Sequence, residues 1–264
     1  MTAANDYYLP GAEPFLLPGG PVGCLVLHGL MSSPGEVRWL GEHLNRLGFT
    51  VYGARLAGHG TDYRDAARVR WHDWLGSALD GVRLLRATCP RVFLVGHSIG
   101  GVVCLLAAAS VPVDGVVVLA SPLRYSSRMI RFSPWLRHII RHLDATDRSD
   151  LPQRVRAEQQ RRGEPQRGRV RYDRWPSHAV AEAYRLSQAA LARLPLVTAP
   201  LLTIYAAADD VAPYENSQLI AARAGSAVIE AYTLHESGHN LTLDRERDTV
   251  FEQAGAFIQR HSAG

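Results

Sequence analysis

Ser98 stands between two glycines in the run Gly96-His97-Ser98-Ile99-Gly100-Gly101, with an apolar stretch on either side. A serine hydroxyl becomes a useful nucleophile only when a base takes its proton, and that base must be oriented by an acid. Later in the chain, Asp209 follows an apolar run in "YAAADDV", and His239 lies in "HESGHN". The order is therefore serine, acid, histidine. Residues of these types support acyl transfer. The serine attacks a carbonyl, the histidine shuttles the proton, and the carboxylate holds the imidazole.

Such a site needs a sharp turn at the serine, with only small residues two positions on either side, which Gly96 and Gly100 provide. A helix starting at the turn would direct its N–H groups and dipole toward negative charge developing near Ser98. Of the adjoining Asp209 and Asp210, Asp209 is expected to be the acid, leaving Asp210 and Val211 to lead into the next helix. His239 is preferred over His235 because Gly238 lets the loop bend back, whereas His235 reads as a surface residue ending a strand. An oxyanion hole requires two backbone donors. Ile99, next after the nucleophile, is expected to supply one; Leu30 in "HGLMSS" is expected to supply the other, with Met31 as the alternative. His28 and His59, in glycine-rich loops, read as loop-shaping residues.

The elements that must position these groups alternate strand and helix. Strands are expected at 23–27, 49–54, 91–95, 113–121, 200–207 and 227–233, several of them apolar throughout. Helices are expected from about 34 to 47, where Ser33-Pro34-Gly35-Glu36 reads as a capping box, and at 73–88, 100–110, 214–224 and 248–260. This pattern predicts an α/β fold with a mostly parallel sheet covered by helices on both faces. The alternation pauses between residues 123 and 195, dividing the chain into a core of 1–122 and 196–264 and an inserted cap. Within the insertion, "SPWLRHIIRHLD" places Trp135, Leu136, Ile139, Ile140 and Leu143 on one helical face. A second helix is expected over 177–194, and the polar stretch 154–174 is expected to be a loop.

Composition is that of an ordinary globular protein, 47% hydrophobic and 20% charged over 264 residues. All 29 basic residues are arginine, and residues 124–193 hold 16 of them against seven acids. That arginine-rich segment reads as a solvated face, or as an attractor for an anionic substrate or acidic lipid surface. No nucleic-acid recognition motif accompanies it. Cys24, Cys89 and Cys104 have no metal-type spacing, and an odd number argues against a disulfide framework. No run approaches the roughly 20 apolar residues of a membrane span, and the first 15 residues lack the features of a leader. A cytoplasmic location is expected.

The segments "LVLHGLMSSPGEVRWLGEHL", "GFTVYGARLAGHGTD", "VGHSIGG" and "SGHNLTLDRERDTVFE" resemble the α/β-hydrolase superfamily, nearest to small bacterial carboxylesterases and monoacylglycerol lipases. The resemblance runs from about Phe15 to Phe257 and is weakest over 124–170. Ile99 departs from it, since methionine is common there; so does Ala206-Ala207-Ala208, where Gly or Arg is frequent. It implies an α/β-hydrolase fold with a helical cap. It also implies cleavage of carboxylic esters by Ser98, Asp209 and His239, without metal or organic cofactor. A thioesterase, acyltransferase or C–C bond hydrolase using the same triad is the alternative. Relatives that open epoxides or remove halogen need a carboxylate where this chain has Ser98. In the cap, Trp135 and Ile139 are expected to contact a small-molecule, lipid-like ester, unless that helix face simply packs on the core.

Overall fold

Alternate residues of the central strands face opposite sides of the sheet, and both sides are apolar. Leu25, Leu27, Leu94, Val116 and Val118 pack into one cluster, and Cys24, Val26, Phe93, Val95 and Val117 into another. A sheet buried on both faces needs helices over both. The computed structural model, which describes residues 7–144 and 149–262, has this layered arrangement. The first six residues of the N-terminal stretch lie outside the described residues.

The strands are β1 (Phe15–Leu17), β2 (Val22–Leu27), β3 (Thr50–Ala54), β4 (Arg91–His97), β5 (Gly115–Leu119), β6 (His142–Asp144), β7 (Arg174–Pro176), β8 (Leu201–Ala206) and β9 (Ile229–Leu234). Seven form one sheet in the order β1-β3-β2-β4-β5-β8-β9, parallel except for the edge pair β1–β3. Leu27 pairs with Gly96, His97 with Leu119, and Ala206 with Leu234, so the carboxyl ends of these strands finish near one level. Loops that leave this edge carry ligands in open α/β sheets.

The helices are α1 (Arg38–Arg46), α2 (Tyr63–Ala66), α3 (Trp71–Arg86), α4 (Ile99–Ala108), α5 (Ser133–Leu136), α6 (Leu151–Arg161), α7 (Ser177–Arg193), α8 (Glu215–Arg223) and α9 (Arg247–Ser262). Trp74 and Leu85 of α3, Val102 and Leu106 of α4, Leu186 of α7 and Ile220 of α8 cover one face. Leu40 and Leu44 of α1 and Phe251 and Phe257 of α9 cover the other. Each fully buried leucine or phenylalanine here contributes about 1.5–3 kcal/mol. α7 belongs to the segment between β5 and β8, yet its buried face is part of the main core.

Three local expectations change in three dimensions. Ser33 makes no capping hydrogen bond; its Oγ donates to the Val170 carbonyl oxygen at 2.9 Å, and a 3-10 turn over Pro34–Val37 precedes α1. The apolar periodicity over 133–144 ends after one helical turn, α5, because the chain is drawn into β6, which pairs antiparallel with β7. That partner is some 30 residues away, so no local pattern announces it. Conversely, residues 151–161 of the polar region form α6, anchored by buried Leu151 and Val155. Glu158 of α6 also pairs with Arg161 at 2.6 Å and with Arg247 of α9 at 3.0 Å.

Candidate active site

β4 runs to His97 and α4 begins at Ile99, leaving Ser98 alone to make the turn. Its backbone sits at φ 53°, ψ −122°, a region costing roughly 1–3 kcal/mol for a residue with a Cβ. The turn holds because its surroundings are tight. A Cβ on Gly96 would overlap the Gly100 carbonyl, and a Cβ on Gly100 would overlap the Leu27 carbonyl oxygen. The Ser98 N–H donates to the Leu119 carbonyl oxygen at 2.7 Å, fixing the elbow to the end of β5.

His239, on the loop between β9 and α9, places Nε2 2.9 Å from Ser98 Oγ. Its Nδ1 lies 3.0 and 2.9 Å from the two oxygens of Asp209, which follows β8. A carboxylate only accepts, so Nδ1 carries the hydrogen and Nε2 presents its lone pair to the serine hydroxyl. Asp209 Oδ1 also accepts the Val211 and Ala212 N–H groups, both at 2.8 Å, which locks the carboxylate. Asp210 and His235, the neighbouring alternatives, are both exposed, and neither enters this chain of hydrogen bonds.

Residues 22–246 match the Hydrolase_4 family, described as serine aminopeptidase, S33. The chain belongs to this family of α/β-hydrolases. It is 30% identical over 255 residues to the thermostable monoacylglycerol lipase of Bacillus sp. (strain H-257), covering 96% of this chain and 97% of that one. It is 24% identical over 249 residues to the carboxylesterase of Bacillus subtilis (strain 168), covering 94% and 96%. A solved structure reported for the metagenome-derived lipolytic enzymes LipS and LipT superposes with a TM-score of 0.86 at 30% identity, over 96% of this chain and 100% of the other. The monoacylglycerol lipase of Paleococcus ferrophilus shares the fold, with a TM-score of 0.77 at 20% identity, over 94% and 98%.

In this α/β-hydrolase, Ile99 opens α4, so its N–H belongs to the unpaired first turn beside the serine. Leu30 and Met31 follow the Gly29 turn after β2. Met31 has φ 57°, is fully buried, and accepts the Tyr172 N–H at 3.0 Å through its carbonyl. His28 ties this loop to the next, donating from Nδ1 to the Gly29 carbonyl oxygen at 2.9 Å and accepting the Leu56 N–H at Nε2, 3.2 Å away. Burial pushes its pKa down to about 4, so the ring is neutral. His59, packed edge-on against His28, is pushed by burial to about 3.

Two residues beside the site escaped the sequence reading. Glu36, assigned there to a capping box, is buried and accepts the Gly29 N–H at 2.7 Å. His97, the residue before Ser98, lies 3.0 Å from Glu36 through Nδ1 and 2.8 Å from the His239 carbonyl oxygen through Nε2. The only available signal was a histidine at the buried end of a strand.

In the segment between β5 and β8, Trp135 is 79% and Ile139 is 81% exposed, and neither belongs to a buried apolar cluster. Met129, Phe132 and Leu143 nearby are also exposed. Among the described residues, no group of three His, Cys, Asp or Glu side chains is placed to hold a metal ion, and no helix is long and apolar enough to cross a membrane.

Proposed function

We propose that this α/β-hydrolase cleaves carboxylic esters through an acyl-enzyme formed on Ser98. The observation that carries the proposal is the continuous path from Ser98 Oγ through the His239 imidazole to Asp209, with every step between 2.9 and 3.0 Å. Ser98 Oγ attacks the ester carbonyl carbon while His239 Nε2 takes its proton. Asp209 stabilises the resulting imidazolium and stays ionised. The oxyanion lies between the N–H groups of Ile99 and Leu30, donors aimed where charge develops. As the tetrahedral adduct collapses, His239 returns the proton to the departing alcohol. Water then attacks the acyl-enzyme, with the same histidine as base, releasing the acid and restoring Ser98.

Small to medium acyl esters and monoacylglycerols are the proposed substrates, in keeping with the names of the relatives. Segment 123–195 is proposed as the cap, with Trp135 and Ile139 meeting the apolar part of the substrate; their exposure leaves them open to a ligand arriving from solvent. A cytoplasmic location is part of the same proposal. Hydrolysis of a chromogenic ester series, from acetate to long acyl chains, by wild type and Ser98→Ala tests it. The expected result is turnover that peaks at one chain length and vanishes in the variant. A folded wild type that leaves every oxygen ester intact, or that turns over only thioesters, overturns the ester reading.

A further inference from the structure

With Glu36 ionised, as its own partners hold it, His97 cannot satisfy its surroundings as a neutral ring. Nδ1 faces Glu36 Oε2 at 3.0 Å and Nε2 faces the His239 carbonyl oxygen at 2.8 Å. A carboxylate and a carbonyl both only accept, whereas a neutral imidazole has a single N–H to donate. The side chains of His97 and Glu36 are 1% and 4% exposed, so bulk water does not relieve the mismatch. An imidazolium matches both acceptors at once.

We propose that His97 is held as an imidazolium beneath the triad and is a positioning residue for His239, fixing the peptide that carries the catalytic base. The proposal rests on the reading of Ser98 and His239 as nucleophile and base.

The geometry shows what is being coupled. Glu36 binds the Gly29 N–H at 2.7 Å, just before Leu30, so one carboxylate holds both the oxyanion loop and His97. A Cβ on Gly29 would lie 3.1 Å from Glu36 Oε2 and 3.4 Å from His97 Nδ1, so the loop is pressed directly onto the pair. From the segment between β5 and β8, Arg169 approaches Glu36 Oε1 at 3.6 Å and donates to Asn240 Oδ1 at 2.7 Å. Asn240 adjoins His239. The ring of contacts therefore runs from Arg169 to Glu36, His97, the His239 backbone, Asn240 and back to Arg169. It ties together the oxyanion loop, the elbow, the base loop and the inserted segment.

The charges that face His97 are consistent with this role. Burial alone would lower its pKa, but the Glu36 charge and hydrogen bond, with the His239 carbonyl, raise it against the opposing Arg169. Burial would raise the Glu36 carboxyl, yet His97, Arg169 and the Gly29 N–H hold it well below the usual carboxylate range. Two further imidazoles stand near the pair: the His239 ring, centred 5.4 Å from that of His97, and His28, which burial keeps neutral. Buried pairs of this kind lose much when one partner is removed, because the other charge is stranded.

Two measurements test the proposal. Two-bond proton–nitrogen NMR of the imidazole rings in Ser98→Ala should show one ring with both nitrogens protonated near neutral pH, and that signal should be missing from Ser98→Ala/His97→Gln. A pattern of a single N–H on His97 overturns the charge assignment, whatever the enzyme hydrolyses. In kinetics, Glu36→Gln should lower kcat about 10- to 100-fold, with KM for a small soluble ester within about twofold, and should move the alkaline limb to lower pH. Glu42→Gln, a half-buried carboxylate of α1 that pairs with Arg38 and Arg162 and not with His97, should keep the wild-type kcat and pH profile. Wild-type kcat and pH profile in a folded Glu36→Gln protein would overturn the positioning role. If wild type and Ser98→Ala hydrolyse esters equally, the functional reading fails, and the kinetic role falls with it. The NMR result still decides the charge of His97.

Discussion

Ser98 Oγ and His239 Nε2 stand 2.9 Å apart although 141 residues separate them in the chain. Their meeting depends on the parallel sheet, which brings the loops after β4 and β9 to the same edge. Ser98→Ala should therefore lower ester turnover by roughly 10³-fold or more while leaving thermal unfolding near wild type. Asp209→Asn should lower kcat by about 10⁴-fold, because the amide no longer fixes the productive tautomer of His239. Asp210→Asn should leave kcat unchanged. Steady-state kinetics on one chromogenic ester compares all three, and equal losses at 209 and 210 would sink the assignment of the acid.

Gly101 has no room for a side chain. A Cβ there would overlap Ser121 Oγ, which faces α4 from the loop after β5. Gly101→Ala should cost about 1–3 kcal/mol by overpacking. Part of the loss should return in Gly101→Ala/Ser121→Ala, as read by denaturant unfolding. An additive pair of effects would show that the two positions do not press on each other.

Acid should destabilise the protein through His28 and His59. Burial holds their folded pKa values down at about 4 and about 3, against 6.5 for the free side chain. Below pH 6.5 the unfolded chain takes up protons that the folded one refuses. Their contribution is thus full above that pH and declines as pH falls toward those folded values. His97 has the opposite sign: its raised folded pKa makes its contribution full below 6.5 and lost as pH rises through the folded value. Urea midpoints measured at about pH 7.5 and about pH 5 should show the lower midpoint in acid. Each of the two neutral rings should cost roughly 1.4 kcal/mol for every pH step of one below the free side-chain value. A midpoint higher in acid would contradict this account.

Trp135 and Ile139 offer a separable effect. Both are about four-fifths exposed, so replacing either by alanine should change stability by no more than about 0.5 kcal/mol. KM should rise severalfold for longer acyl esters and stay constant for acetate. An unchanged chain-length profile would remove both residues from substrate contact.

Much of this arrangement was legible in the linear chain because it rests on local constraints. The elbow at Ser98 needs small residues at fixed offsets, and Gly96 and Gly100 supply them. The strands β2, β4, β5 and β8 are continuous apolar runs. Asp209 and His239 each fall just past a strand, so the sheet delivers them to one edge. The misreadings came where a distant partner overrode a local pattern. The periodicity of Trp135 to Leu143 gave way to pairing between β6 and β7, and polar 151–161 became α6 because Leu151, Val155 and Arg247 fixed it in place.

By itself, the sequence determined the order of the parallel strands and the helices between them, the layered α/β class and the residue types of the site, since glycine sterics and hydrophobic periodicity act over a few residues. Only the tertiary structure decided which glutamate sits beneath Ser98 and what His97 faces. Glu36, His97 and Arg169 lie far apart in the chain, and a buried charge reveals its partner only once packing has excluded water around it.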